Sequence, residues 1–294
     1  MSPTEPFLRR AAVTFKPLAA AAKRVLAERE ARAAFAHPDR PPILVYQMGK
    51  VGSSTIYRAL QQAALPNRVL HLHFLSDDLV KYREFQLKAG NYPLPYHIYL
   101  GESVQRIIRK KSQISCKIIS LVRDPIAFVV SNLFHNPQFA QENLLDRSGM
   151  MDVAKTRQYL TNILEKENTF DYVYNWFDRE LKTVFDIDVF SRPFPREDGY
   201  AVYHHNTVAA LIIRLEDLSN KGSEVLTRFL ATPQVIRLEA QNTRAESRYG
   251  YVYLSLLHTI KIESSVCRRI YSHKFSRHFY DDDMIERFVE RWSK

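Results

Sequence analysis

At 294 residues the chain can bury a substantial core as one large α/β domain or two small ones. Its formal net charge of +10 suits an anionic ligand, nucleic acid or an acidic membrane face, without choosing among them. The two cysteines, Cys116 and Cys267, lie far apart and outside any CxxC or Cys/His spacing, which excludes a zinc ribbon and leaves either a single disulfide or, as the expectation, two reduced thiols.

No stretch reaches the ~18–20 consecutive apolar residues of a membrane-spanning helix. After Arg9 and Arg10 the chain is interrupted by Thr14, Lys16, Pro17, Lys23 and Arg24, which makes no secretory signal. A cytoplasmic protein is the expectation. Residues 1–38 are rich in Ala and Arg, helical by propensity over 18–35, and run into a proline-rich joint at 38–42. A basic helix of this kind packs on its domain or contacts a membrane surface peripherally. The implied division is a helical extension, 1–38, and a main domain, 39–294.

The main domain opens with an apolar run, 43–46, bounded by Pro41-Pro42 on one side and by Gly49, Lys50, Val51, Gly52, Ser53, Ser54 and Thr55 on the other; helical periodicity begins at Ile56. The pattern is strand, loop, helix. Glycines let backbone N–H groups turn toward one point, the helix adds its positive end, and hydroxyls and a lysine converge there. The expected guest is a phosphate. A Walker A loop needs Gly-Lys-Ser/Thr in succession, with the hydroxyl on magnesium, whereas Lys50 here precedes Gly52 inside the loop. The metal-bridging geometry is not the one encoded.

A helix over 55–64 is followed by alternating RVLHLHF, 68–74, whose period of two puts His71 and His73 on one face of a strand. The spacing then predicts a helix over 79–88, a loop over 90–95, a short strand over 97–100 and a basic helix over 102–111. The run CKIISLV, 116–122, is apolar almost throughout, as a strand buried on both faces of a parallel sheet should be. Strands alternating with helices give an α/β class with a parallel sheet flanked by helices. Directly after that strand stand Arg123, Asp124 and Pro125, where Asp124 can cap a helix and Pro125 suits its first position. Ser131 follows Asp124 by about two helical turns, so Arg123 and Ser131 can converge on one anion.

Downstream, 136–166 is polar and mostly helical, and 170–185 is rich in aromatics, including Tyr172, Tyr174, Trp176 and Phe177, which either pack the core or cover an acceptor site. A further strand is expected over 207–215, with Glu216 and Asp217 as caps of the next helix. Residues 241–249 form a polar loop carrying Arg244 and Arg248, and Asp281–Asp283 read as a capped helix entrance rather than a cation site.

The loop at 49–55 resembles the 5′-phosphosulfate loop of sulfotransferases that use 3′-phosphoadenosine 5′-phosphosulfate (PAPS), and RDPIAFVVS, 123–131, is similar to their strand-end Arg with a Ser eight residues on, which grip the cofactor's 3′-phosphate. The resemblance covers residues 43–134 and, more loosely, 207–218. It implies a P-loop-like sulfotransferase fold, PAPS as cofactor with adenosine 3′,5′-bisphosphate as product, and a hydroxyl acceptor of carbohydrate or glycolipid type, with nucleic acid not a partner and no metal required. On it, Lys50 faces the bridging oxygen, residues 51–55 hold the 5′-phosphate, Arg123 and Ser131 hold the 3′-phosphate, and Arg244 belongs to a late basic loop that closes over the cofactor. Histidine suits a base at neutral pH. Uronyl 2-O-sulfotransferases of the heparan sulfate type have a similar His-x-His after their second strand, which implies His73 as base and His71 as helper or acceptor-site group; a metal-binding pair, without a local third ligand, and hydrogen-bonded core histidines are the alternatives. His97 and His135 are further candidates for the base. A P-loop kinase or NTPase, and a non-catalytic basic glycan-binding module, are the rival readings.

Overall fold

The computed structural model describes residues 5–111, 113–134, 144–146, 148, 150–239 and 250–293, with side chains from residue 15 onward. Alternation of short apolar runs with amphipathic ones yields α1 (Glu5–Ala34), β1 (Ile43–Tyr46), α2 (Ser53–Gln62), β2 (Val69–Leu72), α3 (Asp78–Lys88), α4 (Tyr96–Lys110), β3 (Cys116–Val122) and α5 (Pro125–Leu133). Next come α6 (Val153–Leu164) and α7 (Asp171–Phe177), which continues through a π turn, Asp178–Lys182, into α8 (Thr183–Phe185). The strands β4 (Tyr200–His205) and β5 (Val208–Arg214) precede α9 (Leu218–Leu230), α10 (Gly250–Thr259), α11 (Ser264–Ser272), α12 (Lys274–Phe279) and α13 (Asp282–Trp292).

The strands form one five-stranded sheet in the order β2-β1-β3-β5-β4, parallel except for β4, which pairs antiparallel with β5. Helices flank it, so β1 and β3 are buried almost throughout, and their sequences are apolar accordingly. The chain leaves β1 for β2 on one side and returns past β1 to β3 on the other. That reversal opens a crevice between β1 and β3 at the carboxyl edge, where open α/β sheets hold their ligands. Parallel pairing brings the ends of β1, β2, β3 and β5 to this same edge.

Three local expectations change. The strand expected over 97–100 is the first turn of α4: Pro95, at φ −52° and ψ 141°, delivers the chain into the helix, and a short apolar run has no period of its own. The strand expected over 68–74 stops at Leu72, because β1 has ended at Tyr46 and the last rung is Gln47 N–H to Leu72 O at 3.2 Å. His73 therefore lies just past the strand. β4 is an added edge strand, turned into β5 at Asn206, which takes a left-handed φ of 50°.

Helix α1 packs on α4 through a seam of alanines, with Ala20, Ala27, Ala31 and Ala34 buried. Lys23 Nζ donates to Leu94 O at 3.0 Å, the Tyr96 hydroxyl donates to Glu30, and Lys111 Nζ donates to Phe35 O at 3.0 Å. The close approach leaves no room for a larger side chain. Ala31→Leu should cost about 1–3 kcal/mol by overpacking this seam, read as a lower midpoint in urea denaturation.

Candidate functional site

Gln47, directly after β1 and at the start of the glycine loop, is fully buried and bonds on both sides. Its Oε1 accepts from Leu121 N of β3 at 2.9 Å, and its carbonyl meets His73 Nδ1 at 2.8 Å. A carbonyl can only accept, so Nδ1 carries the proton and the neutral ring keeps its lone pair on Nε2. Burial lowers the pKa of His73 from its ordinary 6.5, and the Lys50 charge adds to this against the opposing Gln47 bond. The ring is therefore neutral at pH 7 and able to take a proton.

Beyond Gln47 the backbone turns left-handed twice, at Lys50 (φ 66°) and at Gly52 (φ 91°). Gly52 is favoured by its left-handed φ, and a Cβ there would lie 2.7 Å from Leu215 Cδ1 and displace the end of that side chain. Gly52 starts α2 with no side-chain cap, and Thr55 N donates to Gly52 O at 3.1 Å, so the first-turn N–H groups of Ser53 and Ser54 are the ones left to the crevice. Val51 points its side chain into the core and Ser53 is buried, while Ser54 is exposed and Thr55 half-buried. Val51 can thus contribute only through its backbone.

Arg123 extends from the end of β3 to this loop, with Nη1 donating to Lys50 O at 2.8 Å. The two motifs read from the sequence meet at the β1/β3 crevice. Asp124 caps α5 by accepting from Ile126 N at 2.9 Å, as its position predicts, and also accepts from the Tyr271 hydroxyl at 2.7 Å and Trp292 Nε1 at 2.8 Å. Ser131 lies on α5 and is fully buried. Arg244, Arg248 and His135 lie outside the described residues.

The histidines expected on one face are adjacent: the His71 and His73 rings are 4.8 Å apart, and His97, brought in by the first turn of α4, is 5.2 Å from His73. Tyr57 stacks on His71 and Tyr82 on His97. Burial, with the charges of His73 and His97, lowers the His71 pKa to about 3. Among the described residues no group of three or more His, Cys, Asp or Glu is arranged to hold a metal ion.

Side chains that no local pattern singles out hold these loops from behind. Glu180, fully buried in the π turn after α7, accepts from the Tyr46 hydroxyl, Leu75 N (2.8 Å), Ser76 N (2.9 Å) and Ser76 Oγ (2.6 Å). Trp176 Nε1 donates to His73 O at 3.3 Å, and the Tyr172 hydroxyl is bonded to the Gly49 backbone. The aromatic segment therefore supports the exits of both β1 and β2. Its sequence signal is a glutamate in an aromatic-rich helix; for Gln47 it is an amide inside an otherwise apolar run.

Glu216 and Asp217, expected as caps of α9, are used differently. Glu216 Oε1 accepts from Asp124 N at 2.8 Å, and Asp217 pairs with Arg214 Nε, because β5 ends against β3 rather than in open solvent. Asp281 does cap α13, accepting from Met284 N at 2.7 Å.

A family model, NKWYS, described as "Putative capsular polysaccharide synthesis protein", matches residues 149–281. No curated protein and no solved structure matches the chain. The matched part is similar to a polysaccharide-related family and includes Tyr172, Trp176, Glu180 and Glu216, whereas Lys50, His73, Arg123 and Ser131 lie before it. No helix among the described residues is long and apolar enough to cross a membrane.

Burial raises the Glu216 pKa from 4.5 to about 7, the Asp124 backbone bond and the Arg123 charge opposing it. The folded state favours the protonated acid, so this contribution to stability is full below pH 4.5 and is lost as pH rises to about 7. In urea titrations across that window, Glu216→Gln should gain stability relative to the native protein as pH rises; parallel curves would contradict this.

Proposed function

We propose that the chain is a PAPS-dependent sulfotransferase of P-loop-like fold acting on a hydroxyl of a carbohydrate acceptor. The observation that carries the reading is the hydrogen bond from Arg123 Nη1 to Lys50 O, which draws the two anion-binding motifs to one crevice. A nucleotide phosphorylated at both its 5′ and 3′ positions needs two such anchors, and ordinary adenine nucleotides need one. The left-handed turns at Lys50 and Gly52 and the uncapped start of α2 fit a 5′-phosphate or phosphosulfate. The Arg123 guanidinium fits a 3′-phosphate. Ser131, fully buried, would be the inner partner. Similarity to a capsular polysaccharide synthesis family supports the acceptor class.

When bound, PAPS supplies an activated sulfuryl group. The chain must then neutralise charge on the departing phosphate, align the acceptor and remove its proton. Lys50 serves the first need. The Nε2 lone pair of His73, fixed by the Gln47 carbonyl at Nδ1, serves the last. The bond formed is acceptor oxygen to sulfur, the bond broken is sulfur to bridging oxygen, and the acceptor's proton leaves on His73.

The test is a thermal-shift panel in EDTA. Adenosine 3′,5′-bisphosphate should raise Tm more than AMP or ATP, and Arg123→Ala should erase the difference; an equal shift with all three, or a need for magnesium, overturns the reading in favour of a P-loop NTPase. For the base, His73→Ala should keep the bisphosphate shift and lower sulfuryl transfer by about 100-fold or more. The acid limb of the native pH profile should fall below 6.5, because burial lowers the His73 pKa from that value. Full transfer by the variant would move the base elsewhere.

A further inference from the structure

From Phe15 onward, helix α1 faces the domain with its smallest residues and solvent with larger apolar ones. Ala20, Ala27, Ala31 and Ala34 form the buried seam, while Phe15 (65% exposed), Leu18 (65%), Leu26 (56%) and Val25 (49%) stand outside it. At about 100° per residue the two sets centre roughly 160° apart on the helix. Packing on α4 therefore leaves this second apolar stripe uncovered. A soluble face would carry polar side chains there, and an exposed apolar stripe on an ordered helix marks a contact surface.

Charge says what the surface meets. Between Phe15 and Ala34 the helix carries five cations, Lys16, Lys23, Arg24, Arg29 and Arg32, against two acids, Glu28 and Glu30. Glu28 is paired with Arg32 at 2.6 Å and Glu30 accepts from the Tyr96 hydroxyl, while Lys23 is turned to Leu94 O and Arg24 to the Tyr99 ring, which leaves Arg29 and the exposed Arg32 on the outer side. Arg29 falls within the apolar stripe by helical position and Arg32 flanks it, both exposed. The whole chain adds a net +10. The stripe is the convex side of one helix and offers no groove to a partner protein, whereas a lipid interface requires only apolar depth beside positive charge. We propose that the outer face of α1 is a peripheral docking surface for an anionic lipid bilayer. The helix lies in the plane of the headgroups with Phe15, Leu18, Val25 and Leu26 inserted and Arg29 and Arg32 at lipid phosphates. Nothing in this inference depends on the catalytic reading.

The test uses the full chain carrying Phe15→Trp. Trp176 and Trp292 are buried, so a change in emission on adding lipid reports the outer face of α1. Vesicles of equimolar phosphatidylglycerol and phosphatidylcholine should shift the emission to the blue, and pure phosphatidylcholine should bind at least about tenfold more weakly. Adding Leu18→Glu and Leu26→Glu, both at exposed positions, should weaken anionic-vesicle partitioning by at least about tenfold while leaving the far-UV spectrum unchanged. No shift with anionic vesicles overturns the proposal. So does a concentration-dependent blue shift without lipid, which would assign the stripe to a second copy of this chain.

Discussion

The hydrogen bond between the Arg123 guanidinium and the Lys50 carbonyl is the constraint on which the rest of the site depends. It links the end of β3 to a loop that has already turned left-handed at Lys50 and does so again at Gly52. Neither conformation is the natural choice of a short connection, and Lys50 adopts it with a side chain. The loop is held by what surrounds it: Leu215 against Gly52, Gln47 between its neighbouring strands, and Arg123 on the carbonyl. With these in place the start of α2 opens on the β1/β3 crevice, beside one half-buried cation from each strand end.

A second layer of contacts explains why the site needs the later half of the chain. Glu180 gathers Tyr46, Leu75 and Ser76 on one buried carboxylate, and Trp176 holds the carbonyl of His73. Burial raises the pKa of Glu180, and the hydrogen bonds it accepts oppose that rise. A π turn presents it, a geometry that recurs where a helix must aim one residue inward. The part of the chain similar to a polysaccharide synthesis family therefore shapes the exits of β1 and β2, although the residues assigned to catalysis lie before it.

What the sequence makes legible is local. The loop at 49–55, the strand–Arg–Asp–Pro junction and the parity of His71 and His73 each depend on neighbours within a few residues, and the structure brings their side chains to one sheet edge. His97 lies on a helix and not on the expected strand, because four apolar or aromatic residues in a row do not reveal a period. The supporting roles of Gln47, Tyr172, Trp176 and Glu180 are not legible locally because their partners are distant in the chain: 134 residues separate Tyr46 from Glu180, and 103 separate His73 from Trp176. Glu216 and Asp217 were assigned to a helix start by their position, and the sheet instead turned them toward Asp124 and Arg214.

The central claim is that one doubly phosphorylated adenosine spans the β1/β3 crevice. A crystal structure with adenosine 3′,5′-bisphosphate tests it most directly. The account predicts the 5′-phosphate on the N–H groups of residues 52–54 and the Thr55 hydroxyl, and the 3′-phosphate on the Arg123 guanidinium. A nucleotide bound with its 3′-phosphate in solvent, or bound away from this crevice, would contradict it.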